Sequence, residues 1–197
     1  MPSPARTVRR ACVALVLAFG ALSPGLAAGQ AVDYRVLATN KTSTMEKEMQ
    51  EAAAAGYRFG AVMGGETSFG GNEVVVLMQK PSSAEGRFEY RLLATSKTST
   101  MQKELQSAAD AGFEYIGQTV FKSTFGGNEV AVILERNATA QSRPHYEYRL
   151  IATSKTSTLQ KELQEIGEQG FEALAMTVGQ TAMGGSEIVV ITRRPAR

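Results

Sequence analysis

The sequence has one cysteine, one histidine and no tryptophan. The cysteine, Cys12, lies within the first 28 residues, so disulfides, thiolate nucleophiles and cysteine-ligated metals are excluded from everything after it. The histidine, His145, stands alone in a connecting segment and reads as a solvated side chain. A serine nucleophile would therefore lack its usual imidazole base. No carboxylate cluster has the spacing of a calcium loop, so no metal and no other cofactor is expected.

Net charge is also scarce. Lys plus Arg number 21 and Asp plus Glu 19, a formal +2. Arg6, Arg9 and Arg10 account for that excess, and residues 29–197 carry 18 bases against 19 acids. Such a balance argues against nucleic acid as a partner.

Long apolar runs are missing as well. The longest, ACVALVLAFGAL, is short of the roughly 20 residues a membrane helix needs. It follows the basic MPSPARTVRR and precedes the small-residue stretch SPGLAAGQA. That order reads as a signal peptide over residues 1–28, cleaved near Ala28 or Ala31. Cys12 is far from that point, so lipid anchoring is not expected. The reading implies a periplasmic or secreted protein with no membrane span after cleavage.

What the chain has in abundance is repetition. Residues 34–80 begin YRVLATNKTST; residues 90–136 and 148–194 align with them without a gap, beginning YRLLATSKTST and YRLIATSKTST. Repeats over 32–81, 88–137 and 146–195 follow, joined by linkers at 82–87 and 138–145 that are rich in Ser, Ala, Gly and Pro.

Each unit reads as strand, helix, strand, strand. From Val32 to Thr39 the residues alternate, with Val32, Tyr34, Val36 and Ala38 on one face and Asp33, Arg35, Leu37 and Thr39 on the other, as in a half-buried strand. Ser43 followed by Glu46 reads as a capping box, repeated at Ser99 with Gln102 and Ser157 with Gln160. Met45, Met49, Ala52 and Ala53 recur at helical spacing, and Gly56, Gly112 and Gly170 are placed to end the helices in a left-handed conformation. The last strand of each unit (EVVVLM, EVAVIL, EIVVIT) is apolar on both faces and belongs at the centre of a three-stranded antiparallel sheet. The fold class is α+β. A unit of 47 residues is marginal alone, so the three should pack together, with a pseudo-threefold arrangement expected.

Two blocks differ least among the copies. One is Lys41-Thr42-Ser43-Thr44 with Lys97-Thr98-Ser99-Thr100 and Lys155-Thr156-Ser157-Thr158; the other is the glycine turn with Glu73, Glu129 and Glu187. Chain direction places both on one rim of each unit, where helix amides, a lysine and hydroxyls could hold a small anion. A plainer account assigns the hydroxyls to capping, the glycines to the hairpin and Lys41 to a salt bridge with Glu73. Arg35, Arg91 and Arg149 are expected to pair across strands with acids such as Asp33, Glu89 and Glu147. Lys47 beside Glu48 does not form an acid and base pair, because adjacent helical positions point apart.

In the third copy, Tyr146-Glu147-Tyr148-Arg149-Leu150 is followed by Leu159 and Leu163, then Gly167-Glu168-Gln169-Gly170-Phe171-Glu172, then Ile188-Val189-Val190-Ile191 with Arg193 and Arg194. This resembles a widespread bacterial family of small domains of unknown function, with Phe171 in place of the family's tryptophan. The resemblance implies a small α+β fold and no established activity; the Lys-Thr-Ser-Thr block is not part of that pattern. The resulting expectation is a non-enzymatic binding or interaction module of the bacterial envelope whose partner is an unknown envelope protein. The alternative is a small-anion or ligand-binding protein, and an enzyme is the least supported.

Overall fold

A computed structural model describes residues 31–67, 71–80, 86–95, 97–122, 128–180 and 185–196. The signal-peptide reading, Gly70, Gly126, Gly127 and Gly184 lie outside the described residues.

The first repeat comprises β1 (Asp33–Thr39), α1 (Thr42–Ala54), β2 (Arg58–Thr67) and β3 (Gly71–Lys80). The second comprises β4 (Phe88–Thr95), α2 (Thr98–Asp110), β5 (Glu114–Lys122) and β6 (Asn128–Asn137). The third comprises β7 (Tyr146–Thr153), α3 (Thr156–Glu168), β8 (Glu172–Gln180) and β9 (Ser186–Pro195). Each sheet is antiparallel with the last strand in the middle, in the orders β1-β3-β2, β4-β6-β5 and β7-β9-β8. The doubly apolar strand is central because only there are both its edges paired and both its faces covered. Val76, for instance, lies between Leu37 and Val62 in register.

The helix ends match the reading at one terminus and depart from it at the other. Gly56, Gly112 and Gly170 adopt φ of 88°, 81° and 82°. Tyr57 N–H donates to Ala52 O and Gly56 N–H to Ala53 O, the paired bonds that close a helix through a left-handed residue. At the other end the capping boxes do not form. The caps are Lys41, Lys97 and Lys155, with no side-chain cap bond, and Ser43, Ser99 and Ser157 sit two residues further in, exposed. Thr39, Thr95 and Thr153 instead accept the N–H of Lys41, Lys97 and Lys155 at 3.2, 3.0 and 3.3 Å. Glu46 and Gln102 are unavailable for capping because they reach into the next repeat.

The repeats pack in series. α1 lies on β4 and α2 on β7, while β2 packs on β5 and β5 on β8. A threefold ring would seat α3 on β1 in the same way; no such packing joins them, and the face α3 would offer is exposed. The cores follow the same order. The first combines Met45, Met49, Val74, Val76 and Met78 with Tyr90, Phe121 and Ile133 of the second repeat. The second takes Tyr148 and Ile191 from the third. The third has its own Ile151, Leu159, Ile166, Phe171 and Val190.

Candidate functional site

The rim at the start of α2 is joined to the next repeat. Thr98 Oγ1 donates to Glu187 Oε1 at 2.7 Å, so the hydroxyl at the start of α2 is joined to the acid that opens the last strand of the following repeat. A negative carboxylate at a helix start complements its unpaired amides and positive dipole end. On α2 a carboxylate of the protein itself thus stands beside a hydroxyl expected to hold an external anion. Lys97, Thr98 and Glu187 line a cavity together with Gln118, Asn128 and Leu150. Its space for water centres is about 20 Å³, enough for about one water and too small for a ligand. Both polar side-chain atoms of Gln118 are buried there without a hydrogen-bond partner. Among the described residues no ion pair joins Lys41 to Glu73. Lys41, Lys97 and Lys155 are all exposed, as are Ser157 and Thr156, whereas Thr42, Ser43's neighbour, and Thr98 are half-buried, as are Thr44, Thr100 and Thr158. Glu73, Glu129 and Glu187 are also half-buried.

A second constellation, at the joint between repeats, is better built. In each sheet the first strand is an edge, whose unpaired backbone groups would ordinarily invite another strand. The preceding helix occupies that edge through side chains. Gln50 Nε2 donates to Tyr90 O at 2.5 Å, and Leu92 N–H donates to Glu46 Oε2 at 2.8 Å. At the next joint Gln102 accepts from Leu150 N–H and donates to Tyr148 O, at 2.8 and 2.9 Å. Gln106 likewise accepts from Tyr148 N–H and donates to Tyr146 O, at 2.9 and 3.2 Å.

A tyrosine locks each joint from the other side. β2, β5 and β8 each carry a bulge, at Phe59/Ala61, Tyr115/Gly117 and Ala173/Ala175. A bulge takes a backbone amide out of the ladder. Phe59 N–H donates to Tyr90 Oη and Tyr115 N–H to Tyr148 Oη, both at 2.9 Å. Tyr90 also donates to Glu135 Oε2 at 2.8 Å, and Arg58 Nη2 holds Glu135 Oε1 at 2.8 Å. At the second joint the ion pair is reversed in polarity, with Glu114 facing Arg193 at 3.7 Å. Burial raises the hydroxyl pKa of Tyr90, with the Glu135 charge adding to it; burial also raises that of Tyr148 and pushes Tyr115 up to about 12. All three stay protonated and able to donate.

The arginines on the first strands behave differently from expectation. Arg91 stacks over Phe113 and Arg149 over Phe171, each with its guanidinium carbon 4.9 Å from the ring centre; Arg136 and Arg194 lie over the same two rings at 4.4 Å. Arg136 and Arg194 also take the acids, Glu89 and Glu147, so the strand acids pair with the end of the central strand rather than mainly with Arg91 and Arg149. Arg149 keeps a 3.8 Å contact to Glu147. The Arg136 guanidinium holds the Glu89 carboxyl below its usual range. Lys47 pairs with Glu51 on the solvent face of α1 at 3.9 Å.

The two ends of the series leave this joint half made. Tyr90 and Tyr148 are 1 % and 2 % exposed, but Tyr34, at the same place in β1, is 57 % exposed. Gln160 and Gln164, which correspond to Gln102 and Gln106, are exposed. Among the described residues no metal-binding group of His, Cys, Asp and Glu occurs, and no described helix is long and apolar enough to cross a membrane. Compared with known protein families, curated proteins and solved structures, the chain finds no match in any of the three.

The joint residues were not singled out in the sequence. The signal available was the pairing of a recurrent tyrosine on the first strand with recurrent polar residues at helix positions 46 and 50, 102 and 106, 160 and 164, four apart and therefore on one helix face.

Proposed function

We propose that the chain is an exported, non-enzymatic interaction module of the bacterial envelope, made of three units of a small-domain type and working through its end faces. The observation that carries this reading is the apolar stripe of Val32, just before β1, with Tyr34 and Val36 on it, exposed although the counterparts in the next two repeats are buried or half-buried. An exposed edge strand with an apolar face is costly to leave open and characteristic of interaction surfaces. The small-anion reading is less favoured, because the carboxylate of Glu187 already sits at the start of α2.

A photo-crosslinking residue placed at Val36 in cells making the full chain tests this. Adducts are expected from position 36 and not from Lys47 on the outer face of α1. Equal adducts from both positions, or none from either, would remove the interaction reading.

A further inference from the structure

The unfilled joint has two halves, and both are in this chain. On the head, Val32 just before β1 and Tyr34 and Val36 on it are exposed. On the tail, Met176 and Val178 of β8 are 66 % and 57 % exposed, and Gln160 and Gln164 face outward on α3. The counterparts of these tail residues are covered in the other repeats. Val62 packs into the first core and Val120 into the second, and Gln118 has its polar atoms buried. The bulge amide that would receive a tyrosine in the third repeat belongs to Ala173; among the described residues no tyrosine hydroxyl is bonded to it.

We propose that copies of this chain associate head to tail, with β1 of one molecule docking on α3 and β8 of another so as to reproduce the joint that links its own repeats. The inference rests on the interaction reading above and names the partner as a second copy. In that joint Tyr34 reaches the amide of Ala173, and Gln160 and Gln164 hold the outer edge of β1, as Gln102 and Gln106 hold β7.

The charges at the joints disfavour two of the wrong pairings and leave this one open. Arg58 meets Glu135 at the first joint, whereas Glu114 meets Arg193 at the second. The tail of the first repeat would therefore set Arg58 against Arg193 if it met the head of the third. The tail of the third repeat carries Glu172, which would oppose Glu135 on the second. The head of the first repeat presents Gln79 at this place, opposite both Tyr34 and Arg58 in register. A neutral amide accepts Glu172 without repulsion, and like charges across the two pairings just named disfavour those exchanges of repeats between molecules. A head-to-tail contact is heterologous, so it closes into a ring or grows as a filament.

Sedimentation velocity of the full chain over a range of concentrations should show mass rising above the monomer. A head variant, Tyr34→Glu with Val36→Lys, and a tail variant, Gln164→Glu with Met176→Lys, alter exposed side chains only. Each should keep the thermal unfolding of the monomer and weaken association at least about tenfold, the scale of losing a central contact. Mixed together, the two variants should form a 1:1 dimer and nothing larger, because one intact head and one intact tail remain. A wild-type chain that stays monomeric, a head variant that still associates, or a mixture that stays monomeric would overturn the proposal. If the wild type is monomeric while position 36 still crosslinks to a different protein, self-association fails and the interaction reading stands. If there is neither association nor adduct, both fail.

Discussion

β1 and β4 have closely similar sequences, DYRVLAT and EYRLLAT in their shared part, and opposite surroundings. On β4 the tyrosine is buried, bonded to Phe59 N–H and Glu135, and its edge is held by Gln50 and Glu46. On β1 the same tyrosine faces solvent, while Leu37 on the opposite face is buried beneath the repeat's own helix. Leu93, the counterpart of Leu37, is buried too. One face of the strand therefore belongs to its own unit and the other to the preceding unit. The second face has a partner only where a preceding unit exists.

The sharpest way to break this comparison is to truncate the tyrosines in turn. Tyr90→Ala removes a fully buried aromatic and leaves Phe59 N–H without its acceptor. The expected loss is about 3–5 kcal/mol in urea unfolding. Tyr34→Ala, measured on dilute monomer, should cost no more than about 0.5 kcal/mol. Equal losses would mean that the outer face of β1 is covered in the monomer.

That contrast also marks how far the sequence could be read. The strand order was legible because β3, β6 and β9 are apolar on both faces, and the helix ends because Gly56, Gly112 and Gly170 stand where a left-handed residue is required. Which face of β1 is covered was not legible: alternation reports that Val32, Tyr34 and Val36 share a face but not whether a neighbour exists to cover it. The capping boxes failed for a different reason. Ser43 and Glu46 have the correct spacing, but all three helices start at the threonine before the serine with lysine as the cap, so the serine lies inside the first turn; in α1 Glu46 also gains a backbone amide on β4. The sequence assigned Thr98 and Glu187 to the rims of separate repeats, yet a bond forms between them, crossing from one repeat to the next.

Alkaline pH separates joint tyrosines from the rest of the molecule. The folded-state pKa of Tyr90, Tyr115 and Tyr148 is raised, so their contribution is fully present below the unfolded value near 10 and falls as pH rises toward the folded values. Above pH 10 the unfolded chain loses these protons first. Tyr90 and Tyr115 should each remove about 1.4 kcal/mol per pH unit up to their folded values. Urea unfolding at pH 9, 10 and 11 should show a flat region followed by a steep fall, and Tyr90→Phe should make the fall shallower. An unchanged slope in that variant would detach the effect from the joint.

Reversing the ion pair tests whether joint polarity has a sign. Glu135→Arg places two guanidinium groups together beside Tyr90 and should cost about 1–3 kcal/mol. Arg58→Glu in the same chain should recover much of it, giving the first joint the polarity of the second. Arg58 is half exposed, so the recovered coupling is expected near 1 kcal/mol rather than the value for a dry pair. A double variant no better than the single would show that packing alone orders the repeats.

The smallest effect compares the two joints directly. Val62 at the first joint and Gln118 at the second hold the same place, paired with Val76 and Val132 in the central strands. Gln118 has both polar atoms buried without a protein partner, and a group of this kind costs stability unless water reaches it. The adjoining cavity has space for about one water. Gln118→Val makes the second joint like the first and should raise stability by about 1 kcal/mol. A loss instead would mean that a water held by Gln118 is part of the joint, because the valine would remove its partner and leave the cavity unfilled.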